Sequence, residues 1–210
     1  MTKETMNVHK ALIELNLLND RISRQIRSAK FCVANRANNL KIDGMEIAEF
    51  EEQITSTKQS IDDMMRRHTA IKRAIVASNA TTEVEIAGHK YTVAEAIYMK
   101  NHGFDNELLM LDTMINQYNK ATVTCNRQND TVEQAAYDYV TAMYGGSDKN
   151  VKDHQDKVDE YIKNNSYELV DPLGIYAEYD ERTAHYDAFM AEVDAALSTS
   201  NALTVIEFEY

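Results

Sequence analysis

The side chains best suited to metal binding or nucleophilic catalysis are the histidines and cysteines, and their spacing matches no catalytic motif. The six histidines are His9, His68, His89, His102, His154 and His185. The sequence has no HExxH, CxxC or EF-hand pattern, and no Glu-x-x-His pair of the kind found in di-iron bundles. Asp153, His154 and Asp156 could touch a metal ion, but on a polar helix such residues usually form a solvated face. We therefore expect no catalytic residue, no metal and no cofactor.

Cys32 and Cys125 lie far apart, in a sequence context that favours no reactive thiol. We interpret both as small buried side chains of a reduced, cytosolic chain. The first residues, MTKETMNVHKALIELN, show no signal-peptide pattern, and no run approaches the roughly 20 apolar residues that cross a bilayer. The expected location is the cytosol of a bacterial host, or the virion, without a membrane partner.

Two groups of side chains could contact a ligand or a partner. Basic residues cluster at positions 21–36 and 66–73, where they could bind the phosphates of a nucleotide. Carboxylates flank them along the chain, at Asp20 and at Asp62 and Asp63, so their net effect is small and we expect no nucleic acid partner. Tyrosines, which are enriched in protein interfaces, are concentrated among acidic residues after position 160. The candidate ligand or partner contacts are Arg24, Arg27, Arg66, Arg67, Arg73, Tyr176, Tyr179 and Tyr186.

These side chains would be positioned by four segments in which seam residues recur at alternating steps of four and three. The segments cover residues 8–33, 50–75, 108–143 and 176–197. Such a sustained seven-residue repeat is typical of the seam between helices of a coiled coil. The chain of 210 residues contains one proline and six glycines, which also favours long helices. Turn residues between the first two segments predict that the two helices fold back on each other.

Five polar residues occupy seam positions in these segments. They are Asn19, Thr57, His68, Thr122 and Asn129. A polar residue in a seam lowers stability but selects register and oligomeric state, and this is the role that we favour. Two alternatives stay open at this point. The hairpin could be pH-sensitive, because a buried neutral imidazole at His68 must become charged on acidification, or a polar pocket between the helices could hold a ligand.

Two shorter stretches predict β structure. Residues 83–91 alternate apolar and polar side chains around an Ala87-Gly88 turn, and Thr92 with Glu95 matches a capping box that begins a short helix. The last residues, ALTVIEFEY, predict a further strand. The similar stretches SNATTEVEI and SNALTVIEF each follow a long helix, so we expect the terminal strand to pair with the hairpin in a small sheet.

Charge is distributed unevenly along the chain. The net charge is −12, but residues 1–100 hold 15 Lys and Arg against 13 Asp and Glu, whereas residues 101–210 hold 7 against 21. A solvated acidic surface is the simplest interpretation, although opposite patches of this kind can also steer association.

Together these patterns predict a mainly α protein. We expect elongated antiparallel coiled-coil helical hairpins with a small β hairpin or three-stranded sheet. Residues 1–103 would form one helical hairpin with the β hairpin and the short capped helix. Residues 104–210 would contain a long helix, a short polar helix at 149–164, a final helix and the terminal strand, and the two parts would form one cooperative unit.

The stretch IVASNATTEVEIAGHKYTVAEAIYMKN resembles a segment of the septicolysin-like family of small helical proteins. The shared features are a helix, an Asn-x-x-Thr turn, a glycine turn and a Thr-initiated Ala-rich helix. This stretch and LIELNLLNDRI are also similar to uncharacterised helical proteins of tailed phages. The resemblance covers mainly the first 120 residues, and its motifs carry no known catalytic residue. The family name suggests membrane lysis, which we do not carry over, because the sequence has no membrane-seeking segment.

The expected function is therefore non-enzymatic. We expect a phage-type structural or assembly protein that acts through helix-mediated self-association, with itself or another phage or host protein as partner. The alternative belongs to another class: a phage-encoded binding protein that sequesters a host defence factor or a nucleotide signal.

Overall fold

The computed structural model describes residues 2–145 and 152–210, and within them the protein is mainly helical with small antiparallel sheets. The helices are α1 (Val8–Ser28), α2 (Ile47–Asn79), α3 (Val93–Tyr98), α4 (Asp105–Tyr144), α5 (Gln155–Asn165) and α6 (Ile175–Leu203), with a π-helical turn at Met99–Gly103 between α3 and α4. The strands are β1 (Lys3–Asn7), β2 (Lys41–Ile42), β3 (Met45–Glu46), β4 (Glu83–Ile86), β5 (His89–Thr92) and β6 (Val205–Glu209). This confirms the predicted fold class at that level.

The chain divides into two compact units. Unit 1 comprises residues 1–102 and 188–210, and unit 2 comprises residues 103–187. Unit 1 therefore contains β1 to β5, α1 to α3, the second half of α6 and β6, whereas the division predicted from the sequence assigned the last segment to the second part.

In unit 1 the terminal strand pairs with the first strand, not with the 83–91 hairpin. β6 runs antiparallel to β1, with Lys3 opposite Glu209 and Met6 opposite Ile206. The predicted pairing with the hairpin is therefore wrong. The physical reason is that β1 and β6 together present an apolar face to α1 and α2, and Ile206 and Phe208 are buried in the same cluster as Val8. Sequence reasoning assigned no strand to KETMN.

The buried stripe of α1 differs from the predicted one. Ala11, Leu15 and Leu18 are buried, whereas Leu12 and Asn19 are exposed. Apolar residues occupy positions 11, 12, 15, 17 and 18, so two registers were available, and the helix buries the one with the small Ala11. The prediction that Asn19 lies in the seam is therefore wrong.

The first helix also ends earlier than predicted, at Ser28 rather than at residue 33. Residues 30–41 are exposed, including Cys32, so the prediction of a buried thiol there is wrong as well. Cys125, in contrast, is half-buried.

Helix α2 keeps the predicted rhythm. Phe50, Ile61, Ile71 and Ile75 are buried, and the last two pack in one cluster with residues of α1. The beginning of α1 lies on the end of α2, and residues at the end of α1 line a cavity with the beginning of α2. The two helices are therefore antiparallel neighbours.

The predicted hairpin and capping box are both confirmed in unit 1. β4 pairs with β5, and both turn residues have positive φ, 50° at Ala87 and 76° at Gly88, as a type I′ hairpin turn requires. Thr92 accepts a hydrogen bond from the N–H of Glu95, and the Glu95 carboxylate accepts from the N–H of Thr92. The carboxylate of Glu192 in α6 accepts from the N–H of Ala87 at 2.7 Å.

Unit 2 is built on the 40-residue helix α4. Its predicted seam holds as far as Ala136, after which Val140 is buried and Tyr139 and Met143 are exposed, contrary to the prediction. Ala136 and Val140 pack against Val158 of α5. The helix predicted at 149–164 overlaps α5, which begins at Gln155, and residues 149–151 lie outside the described ranges.

No helix within the described ranges is both long enough and apolar enough to cross a membrane.

Candidate functional site

The structure supplies no metal centre in the part of the chain that it describes. Within residues 2–145 and 152–210, no three His, Cys, Asp or Glu side chains lie together in a way that could hold a metal ion. In the Asp153-His154-Asp156 stretch, the ring of His154 stacks on that of Tyr144 with centroids 3.9 Å apart.

Arg67 lies in unit 1 where β1, α2 and the end of β6 meet. Its Nη1 donates to Glu4 Oε1 at 2.5 Å and to the hydroxyl of Tyr210 at 2.5 Å, and that hydroxyl donates to the same carboxylate oxygen at 2.7 Å. The guanidinium also lies 5.1 Å from the centroid of the Tyr210 ring and pairs with Glu14 at 3.4 Å. Arg67, predicted as a ligand contact, therefore binds internal partners. Sequence reasoning missed Glu4 and Tyr210, although the alternation in KETM is a weak strand signal.

The same network shifts the protonation equilibria of its members. The hydrogen bond from Arg67, then the one from Tyr210, lowers the pKa of Glu4 below its ordinary value. The pKa of Tyr210 is raised, first because its hydroxyl donates to Glu4 and also because it is partly desolvated. Burial acts to lower the pKa of Arg67, but its hydrogen bonds to Glu4 and Tyr210 outweigh this and raise it.

We expect Glu4→Gln to lower the free energy of unfolding at neutral pH by about 1 to 2 kcal/mol, because it weakens a charge-assisted pair that is only partly screened by water. The folded-state pKa of Glu4 is depressed below the unfolded-state pKa of about 4.3. Its contribution to the free energy of unfolding is therefore complete above the unfolded-state pKa, and it is lost as the pH falls through the folded-state pKa. Urea unfolding from pH 7 towards about pH 3 should show the wild-type advantage shrinking. The exposed Glu207→Gln is the matched control, and a pH-independent difference for Glu4→Gln would contradict the assignment.

Asn129, one of the predicted seam residues, holds an extended segment of unit 2. Its Oδ1 accepts from the N–H of Tyr167 at 2.7 Å, and its Nδ2 donates to the carbonyl of the same residue at 3.0 Å. The thiol of Cys125 donates to that carbonyl at 3.1 Å. Further along, the Asp171 carboxylate accepts from the N–H groups of Gly174 and Ile175, which begins α6. Asn129 therefore supplies hydrogen bonds to the backbone of Tyr167, which pairs with no strand of the described residues.

The remaining polar seam residues have different surroundings. The hydroxyl of Thr122 is buried and has no hydrogen-bond partner among the described residues. Thr57 is half-buried and lines a cavity of about 390 Å³ near the end of α1. His68 is half-buried. These residues do not converge on one pocket.

The predicted contact residues are likewise spread over several places. Arg24 donates to the carbonyl of Asp20 within its own helix, and Arg27 is exposed. In unit 2, Tyr176 is exposed with its ring 5.9 Å from that of Tyr118. Tyr179 and Tyr186 are half-buried, and the ring of Tyr186 packs on Phe104. The tyrosines therefore do not share one exposed face.

Arg66 and Arg73 are brought together on a groove of unit 1 with a volume of about 830 Å³. One wall is the face of α2 from residue 62 to residue 77, and the other is formed by residues 207–210. Arg66 pairs with Asp63, whereas Arg73 has no ion-pair partner among the described residues. The floor is apolar or small, with Ala70 and Phe208. This groove therefore brings together two of the predicted contact residues, Arg66 and Arg73.

Comparisons of the chain with protein-family models, with curated proteins and with solved structures found no match.

Proposed function

We propose that this chain is a non-enzymatic, phage-type structural or assembly protein that acts through helix-mediated self-association in the cytosol of a bacterial host or in the virion. The coiled-coil interpretation of its antiparallel helices belongs to this proposal. The single observation that carries it is an exposed apolar surface at the end of α1, where a soluble monomer would normally present polar residues.

This surface, the apolar–basic patch, is defined by Ile26, Phe31, Ile54, Lys58 and Met65. These residues line an open cavity of about 510 Å³. The exposed fraction is 44% for Ile26, 48% for Phe31 and 41% for Met65. Such a cluster of half-exposed large side chains is typical of an interaction surface.

The charge around the patch favours a second copy of the chain as its partner. Residues 21–41, which include Ile26 and Phe31 of the patch, contain six Lys and Arg and no Asp or Glu, whereas Lys58 of the patch is already paired with Asp62. Residues 103–187 of the same chain contain 7 Lys and Arg against 17 Asp and Glu, a net charge of −10. The acidic surface of one copy therefore complements the basic patch of another, which would raise the association rate and orient the encounter.

Light scattering after size-exclusion chromatography tests this proposal. The wild-type chain should have a mass that is a multiple of 23.9 kDa and that falls between about 50 mM and about 500 mM salt. Phe31→Asp should weaken association by about tenfold or more, since it buries an unpaired charge in the contact. Val76→Asp, at an exposed apolar position of α2 outside the patch, is the control. A monomeric wild-type chain, or equal association of both variants, would contradict the proposal.

A second candidate function is sequestration of a host defence factor or a nucleotide signal. The observation that favours it is that Arg73, which has no ion-pair partner among the described residues, lies on one groove with Arg66, where its guanidinium group could bind phosphate. A saturable thermal shift with nucleotides that disappears in Arg73→Ala would support this function. The absence of a shift with any common nucleotide would count against it.

A further inference from the structure

Strand β6 has an unpaired edge. The backbone bonds between Thr2 and Tyr210 run in both directions, and the N–H of Val8 donates to Thr204. Because hydrogen-bonded pairs alternate along an antiparallel ladder, the backbone N–H and C=O groups of residues 206 and 208 also point towards β1. The backbone groups of residues 205, 207 and 209 therefore point away from β1, and no backbone partner for them lies within the described ranges.

This unpaired edge borders the groove between α2 and residues 207–210. Residues 62–77 of α2 extend for about 22 Å at a rise of about 1.5 Å per residue, which is the length of a strand of six or seven residues at about 3.3 Å each. The side chains of Thr69, Ala70 and Ala77 on this wall are short, so a backbone could lie close to the helix. The helical wall of the groove therefore has the length of one additional strand.

We propose that this groove binds an extended segment of a partner protein, which adds to the free edge of β6 as an antiparallel strand. This is the β-augmentation mode, in which main-chain hydrogen bonds supply affinity and alternate side chains supply specificity. The groove adjoins the apolar–basic patch at Met65, and Asp62 lines both cavities, whereas β6 lines only the groove.

The surrounding charges define the sequence of the segment. Side chains on its inner face would contact Ala70, Ala77 and Phe208, so they are apolar, with one carboxylate positioned to pair with Arg73. Side chains on its outer face would lie beside Glu207 and Glu209, so they are Lys or Arg. The partner segment is therefore a strand that alternates basic residues with apolar or acidic ones.

The same charges disfavour the other occupants. Two copies of β6 paired edge to edge would place Glu207 and Glu209 of one copy beside those of the other, and like charges on neighbouring strands are destabilising. A nucleotide is disfavoured because Arg73 is the one cation lining the groove that has no ion-pair partner among the described residues. The side chains around Arg73 are apolar or small.

NMR titration of the full chain with a synthetic peptide, acetyl-Lys-Val-Lys-Asp-Lys-Val-Lys-amide, tests the proposal. Saturable chemical-shift changes should appear at the amide signals of residues 205–209 and of residues 66–77 in α2. In an antiparallel ladder the peptide residues with outward side chains are those whose N–H groups face β6. N-methylation of the third and fifth residues of the peptide, both lysines, should therefore weaken binding about tenfold or more. Each methyl group removes a backbone hydrogen-bond donor without changing a side chain.

Two protein variants complete the test. Glu207→Pro removes the N–H that points into the groove while leaving the bonds to β1, whereas Glu207→Ala keeps that N–H. Binding should be lost in the first and retained in the second, with unchanged circular dichroism in both. Equal binding of the N-methylated peptide, shifts located elsewhere, or shifts at these amides caused by protein concentration or by a nucleotide alone would overturn the proposal.

Discussion

A chain that ends at Leu203 is expected to lose the cooperative unfolding of unit 1. The deletion removes β6, and with it Ile206 and Phe208, which are 4% and 5% exposed in the cluster formed with α1 and α2. Loss of a buried phenylalanine side chain alone costs about 3 to 5 kcal/mol, and a domain of this size is stable by only about 5 to 15 kcal/mol. The deletion also leaves β1 without its strand partner and Arg67 without the Tyr210 hydroxyl.

Urea unfolding followed by circular dichroism, together with amide NMR spectra, would measure this effect. The point variant Phe208→Ala should keep the fold and lose about 3 to 5 kcal/mol. Val205→Ala, in the same strand but facing solvent, should stay within about 0.5 kcal/mol of the wild type. A truncated chain that melted like the full one would show that the pairing of β1 with β6 does not support unit 1.

The second large effect is expected from Phe189→Ala, with a loss of about 3 to 5 kcal/mol. Phe189 is completely buried at the point where α6 enters unit 1, and its ring meets that of Tyr91 in β5 edge to face, with centroids 5.4 Å apart. The substitution removes this aromatic pair and leaves a cavity between the helix and the hairpin. The exposed contacts nearby, such as Lys100 with Asp194 at 2.5 Å, contribute much less.

Thermal and urea unfolding of Phe189→Ala and Phe189→Leu would check the result. The leucine variant keeps most of the volume and should lose roughly half as much stability or less. The hairpin amides of residues 83–92 should lose protection from hydrogen exchange in the alanine variant. If both variants were as stable as the wild type, the helix would not depend on this residue for its contact with β5.

The parts of the fold that were predicted correctly are those fixed by local chemistry. The rhythm of α2 and of α4 as far as Ala136 follows from helical periodicity. The hairpin follows from its turn residues, and the start of α3 follows from a capping box whose two bonds lie within four residues. Each of these signals is complete within a short stretch of sequence.

The parts that were missed depend on contacts between distant segments. The register of α1 is decided by what packs on it, because both Ala11 and Leu12 could face a core. The partner of β6 lies about 200 positions away, and alternation alone cannot choose between β1 and the hairpin.

The surroundings of the candidate-site residues likewise depend on contacts between distant segments. Asn129 was singled out as a polar seam residue, but its bond to the backbone of Tyr167 spans 38 positions and has no sequence signal. Arg66 and Arg73 were predicted as contacts, and the groove that joins them exists because β6 lies alongside α2. Arg67, one helical position away from Arg66, faces Glu4 and Tyr210 instead.

The pairing of β1 with β6 has a consequence for how the protein is made. Lys3 is translated about 200 residues before Glu209, so unit 1 cannot close this sheet until β6 has left the ribosome. Until then the apolar side of α1 and α2, which Ile206 and Phe208 cover in the folded protein, stays exposed to water.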